Sequence, residues 1–128
     1  MNIIERLEHF KDFQKKIKMQ DMIIREKKET LVKACQTHIP DLLRQEMFEE
    51  VEKAEGKRNK IMLDEMRERQ ELEPYLMEVI PDDKIRTVLI LHYLHGKKLK
   101  EISVEMMLCY DYIRELCSEG RKILKQVV

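Results

Sequence analysis

At 128 residues the chain has the length for one modest domain, or for one small domain with a long helical extension, and not for two full-sized globular units. Charged residues make up 39% of it and aromatics 5%, with no Trp, which excludes a thick aromatic core and favours long solvated helices. Lys plus Arg equals Asp plus Glu at 25 each, so no overall field draws the chain to nucleic acid or to an acidic membrane, and any such affinity must come from local placement.

Gly and Pro number three each, and Glu, Lys, Arg, Leu, Ile and Met dominate, which predicts an all-α fold without strands. Cys35, Cys109 and Cys117 are odd in number and widely spaced, a pattern of reduced thiols rather than of a disulfide framework. No apolar run approaches the roughly 18 residues that span a bilayer, so the expectation is a soluble cytoplasmic protein without a membrane partner.

The first predicted element is a long amphipathic helix over residues 1–38, uninterrupted by Gly or Pro. Ile3, Phe10, Ile17, Ile24 and Leu31 fill one heptad position, while the companion position holds Leu7, Gln14, Asp21, Lys28 and Cys35 and is apolar only at its ends. Such a narrow stripe either packs on the chain's own second helix or pairs two copies in a homodimer. Pro40 ends the element, and Asp41 opens a helical connecting region over 41–79. Its apolar positions are Leu43, Met47, Val51, Ala54, Ile61 and Met62, continued by Leu72, Leu76 and Val79. Gly56 is a candidate bend, and Pro74 and Pro81 are read as further boundaries.

From residue 80 to 128 the text divides into three short helices. Ile85, Val88, Leu89, Leu91 and Leu94 form the inner face of the first, which Gly96 stops. Leu99, Ile102 and Met106 serve the second, and Tyr112 or Ile113 with Leu116, Ile123 and Leu124 serve the third. Only Met107–Cys109 separates the second from the third, the spacing of a helix-turn-helix. Cys109 and Cys117 are expected to fill space beside Leu116.

Glu101-Ile102-Ser103, Met106, Ile113-Arg114, Leu116 and the Arg121-to-Leu124 end resemble region four of sigma factors, and Leu91, Tyr93 and Gly96 resemble the Leu-x-Tyr-x-x-Gly ending of that family's bracing helix. The layout is similar to small phage and prophage regulators of Gram-positive bacteria. That resemblance implies a C-terminal three-helix DNA-binding module whose last helix enters a groove. It departs from the pattern at Ser103, where a small Ala is expected, at Met107, where the turn usually has Gly or Asn, and at Cys109, where Ser or Thr usually caps the last helix; Asp111 is a substitute cap for a helix starting two residues later.

The residues expected to face DNA are Tyr110, Asp111, Arg114, Glu115, Ser118, Arg121 and Lys122. Nine Lys and Arg against seven Asp and Glu from Pro81 onward give the module a mild basic lean. Catalytic, cofactor and metal sites are not expected: Cys35 with His38 and His92 with His95 do not supply four ligands, the adjacent carboxylates Glu49–Glu50 and Asp82–Asp83 belong to charged surfaces, and no phosphate-cradling glycine loop occurs. The function implied is that of a non-enzymatic transcription regulator acting on double-stranded DNA, with RNA polymerase as a further partner. The alternative is an adaptor that holds RNA polymerase or another protein without touching DNA.

Overall fold

A computed structural model describes residues 2–127 of the chain. Among them there is no strand, and the elements run α1 (Ile3–Cys35), α2 (Asp41–Val79), α3 (Asp83–Leu89), a π-helical segment (Ile90–Leu94), α4 (Leu99–Met106) and α5 (Tyr110–Gln126). No described helix is long and apolar enough to cross a membrane. Asn2 caps α1, its side-chain oxygen accepting from the Glu5 backbone amide at 2.9 Å, which satisfies one donor otherwise left open at the helix start, while its side-chain Nδ2 donates to Glu5 Oε1 at 3.2 Å and holds the cap in place.

Compactness does not follow the helix ends. Residues 1–12 group with 66–128, and residues 13–65 form a second unit, so both long helices run through both units. In the second unit the α1 stripe meets the chain's own α2. Ile24, Val51 and Ala54 are buried there, and the buried Gln20 donates to the Ala54 carbonyl at 3.0 Å. Lys27–Glu50 at 3.1 Å and Lys28–Glu55 at 3.3 Å flank the seam, and Arg58 pairs with Asp21.

The heptad reading holds on one side of the α1 stripe and slips on the other. Phe10 and Ile24 are buried and Ile17 and Leu31 half-buried, as the spacing predicts, and the companion position holds through Leu7 and the half-buried Gln14, but beyond it the less exposed residues are Gln20, Lys27 and Ala34 rather than Asp21, Lys28 and Cys35, which are exposed.

The first unit holds most of the core: Leu7 and Phe10 of α1, Leu72 and Leu76 of α2, Ile80, and the inner faces of the C-terminal helices. Arg6 forks between Glu68 at 2.8 Å and Glu71 at 2.6 Å, and the Arg69 guanidinium lies 5.5 Å from the Phe10 ring centre. Pro74 does not end an element as expected; it lies inside α2. Its ring removes a single bond, to the Gln70 carbonyl, on a stretch where Gln70, Glu71, Glu73 and Pro74 are exposed and water can take over. Pro81 behaves as predicted, with Asp82 capping α3 by accepting from the Ile85 amide at 3.0 Å.

The two helical glycines differ in kind. Gly56 sits inside the unbroken α2 with nothing within 4 Å of where a Cβ would stand, so no packing requires a glycine there and it weakens the helix. At Gly120 a Cβ would lie 2.6 Å from Leu89 Cδ1 and 3.0 Å from Ile85 Cγ2, so α5 approaches α3 as closely as a side-chain-free position allows. Gly56→Ala should therefore raise stability by about 0.5–1 kcal/mol, and Gly120→Ala should lower it by about 1–3 kcal/mol through overpacking, both read by urea denaturation. A stabilising Gly120→Ala would disprove the close approach.

Candidate nucleic-acid interface

The three-residue spacing between the last two helices is as predicted, and its chemistry is not. Met107 ends α4 in the left-handed region at φ 56°, with its amide bonded to the Val104 carbonyl at 3.3 Å and the next amide, Leu108, bonded to Ser103 at 3.1 Å. That pair of bonds is the usual left-handed helix ending, made here by a residue whose Cβ costs on the order of 1 kcal/mol in this conformation. The left-handed ending is thus made without Gly or Asn. Helix α5 starts at Tyr110 with Cys109 at the cap position and no side-chain cap bond. Asp111 lies inside the first turn, where its charge favours the positive helix end, and is not the cap that the sequence suggested. Cys109 is exposed rather than packed, while Cys117 is buried. Burial raises the Cys117 thiol pKa, with Arg121 and Lys11 pulling the other way, so it is a core group and not a reactive thiolate.

Ile113, Leu116, Cys117, Gly120 and Leu124 form the inner face of α5. Tyr110, Asp111, Arg114, Glu115, Ser118 and Lys122 are exposed, so six of the seven expected residues share its open side. The Arg114 guanidinium lies 5.7 Å from the Tyr110 ring centre, a stacked pair at the open start of the helix. Arg121 stands apart. It is half-buried, its Nη2 lies 3.4 Å from Glu8 Oε1, and it borders Tyr93, so part of its charge is already spent within the fold. Val104 and Met107, 77% and 89% exposed, lie on α4 and at the turn, an apolar spot that helix patterning did not flag because Met107 falls where a turn residue is expected.

Sequence reasoning also missed a polar cluster behind α5. His92 Nδ1 lies 2.8 Å from the Lys97 carbonyl and Nε2 lies 2.9 Å from Lys11 Nζ. A carbonyl only accepts and an ammonium only donates, so the imidazole is neutral with its proton on Nδ1. The Lys11 ammonium also sits 4.7 Å from the centre of the Tyr93 ring. Burial lowers the His92 pKa; the Lys97 carbonyl opposes this, and Lys11 and Arg121 add to the lowering. Both ring nitrogens are therefore engaged within the fold, and no group of three or more His, Cys, Asp or Glu able to hold a metal occurs among the described residues. The π segment carrying His92 is what turns this ring toward Lys97, its end marked by a His95 amide bonded to Ile90 at 3.1 Å.

Comparison with protein-family models, with curated proteins and with solved structures found no match for the chain.

The lowered His92 pKa fixes a pH dependence. The folded state resists a proton that the unfolded chain accepts at its ordinary value near 6.5, so this contribution is fully present above that pH and is lost as pH falls through it toward the lower folded value. Melting temperature should drop as pH is lowered from about 7.5 to 5. His92→Gln should flatten that drop, and an unchanged slope in this variant would show that His92 does not carry it.

Proposed function

We propose that the chain is a DNA-binding transcription regulator in which α4, the Met107–Cys109 turn and α5 act as a helix-turn-helix of the sigma region-four type. The observation that carries this reading is the open start of α5, where Arg114 is held over Tyr110 beside exposed Asp111, Glu115 and Ser118. In such a module the first half of the last helix meets base edges and its basic second half meets phosphates. Arg114 is then the base-reading group, since a guanidinium pairs bidentately with guanine, and Lys122 is a phosphate contact. Arg121 contributes less, because Glu8 already offsets its charge.

A second reading is favoured by Val104 and Met107. Two strongly exposed apolar side chains beside the turn suit a protein surface better than a phosphate backbone, and they support an adaptor that holds RNA polymerase or another protein.

Selection from a random duplex pool followed by binding titrations separates the two. Arg114→Ala should cost about 1–3 kcal/mol on the selected site and little on random DNA, whereas Lys122→Ala should weaken both and reduce the salt slope by about one. Arg121→Ala should change that slope by less than Lys122→Ala. If no duplex binds at low salt while Met107→Glu abolishes capture of RNA polymerase, the adaptor replaces the regulator.

A further inference from the structure

The chain is electrically neutral as a whole, yet its positive charge is not evenly spread. Residues 15–18 hold three lysines and no carboxylate, and residues 53–60 hold four basic residues and Glu55 alone. The remainder of the chain is left with six carboxylates in excess. Both spans belong to the unit of residues 13–65, and two contacts set them opposite each other across the hairpin: Gln20 donates to the Ala54 carbonyl at 3.0 Å, and Arg58 pairs with Asp21.

The interior of this patch has already used its counter-charges. Asp21 is taken by Arg58, and Glu55, the one carboxylate in the spans, is taken by Lys28 at 3.3 Å. Lys15, Lys16, Lys18, Lys53, Lys57 and Lys60 remain exposed, and no carboxylate among the described residues lies within 4.0 Å of their ammonium groups. Lys53, Lys57 and Lys60 follow at i, i+4 and i+7, which places them on one stripe of α2. At 1.5 Å per residue that stripe is roughly 10 Å long, and one strand of a duplex presents a phosphate about every 3.4 Å of axis, so three ammonium groups match about three phosphates. Like charges at these helical spacings repel one another, a cost that an anionic ligand with the same periodicity removes. The remaining groups are lysines rather than arginines, and a lysine is a point charge suited to a phosphate backbone rather than to planar base recognition.

We propose that this lysine patch on the α1–α2 hairpin is a second DNA-contacting surface, one that grips the phosphate backbone of a duplex without reading sequence. This rests on the reading of the chain as a DNA binder, but not on which helix reads the bases.

The test uses the full chain and two duplexes, one random and one selected, titrated from about 25 to about 250 mM salt. The variant K53Q/K57Q/K60Q keeps good helix formers and removes three charges; K33Q/R44Q/K84Q removes three charges outside both the patch and α5. The first should lower the salt slope on random DNA by about two to three and weaken binding at about 0.1 M salt roughly a hundredfold, leaving the ratio of selected to random affinity unchanged. The second should leave the slope within about one of the parent. Circular dichroism of both variants should match the parent, since every changed side chain is exposed. If the parent binds DNA and the two triple variants have equal slopes, the patch is not a phosphate site, and the α5 reading stands untouched. If K53Q/K57Q/K60Q lowers the slope while Arg114→Ala leaves discrimination intact, the patch stands and the α5 reading falls. A parent that binds no duplex at about 25 mM salt, or that binds anionic lipid vesicles instead, overturns the proposal.

Discussion

Helix α5 lies so near α3 at Gly120 that a single methyl group would overlap Leu89 and press on Ile85. Everything the C-terminal unit presents to solvent depends on that approach. With the backbones this close, Ile113, Leu116, Cys117 and Leu124 are driven inward and the opposite side of α5, from Tyr110 to Lys122, is left open. A glycine in a helix interior costs about 1 kcal/mol in propensity, so its place here is set by packing against α3 and not by any local preference of the chain. The same approach carries Arg121 to Glu8 and Tyr93, which is why a residue that helical periodicity groups with Lys122 has a different environment.

The two units are stabilised differently. In residues 13–65 the buried side chains are Gln20, Ile24, Val51 and Ala54, and much of the seam is edged by ion pairs that are individually worth about 1 kcal/mol or less. The polar Gln20 in the middle of that seam has its amide satisfied by the Ala54 carbonyl, and sliding α1 along α2 would leave it unbonded among apolar groups. One buried amide thereby fixes which residues face each other, and with them where the lysines of the two helices fall.

Much of the helical architecture was legible in the sequence because its signals were local. Pro40 with Asp41, Pro81 with Asp82, and Gly96 at φ 68° each mark an end with a definite backbone reason, and the Met107–Cys109 turn follows from the apolar spacing on either side of it. What escaped was non-local. Pro74 looks like a boundary until it is known that the carbonyl it strands lies on an exposed stretch. Gly120 looks like a weak point until Leu89 is placed beside it, and the pairing of Lys11 with His92 joins positions that no short window contains. Of the candidate interface, the open side of α5 could be read from periodicity alone. The partial neutralisation of Arg121, the exposed Val104 and Met107, and the opposed lysines of the hairpin required the fold.

The π segment at Ile90–Leu94 gives the chain an asymmetric tolerance to changes in length. A wide turn of this kind is the form a helix takes when it absorbs one additional residue, and each residue of an α-helix carries about 100° of rotation. Losing a single residue here would restore regular winding and keep the helix on either side in phase, yet it would remove the wide turn from which His92 reaches Lys97, whereas one residue more would turn the stretch that follows, with the buried Leu94, by about 100°. The stretch Gln36–Pro40 between α1 and α2 has four of its five residues exposed and couples to no such phase. Single-residue insertions and deletions in descendants of this chain should accumulate in that connection and be purged from 90–94, so that the π turn persists as a fixed mark of the lineage even where side chains around it drift.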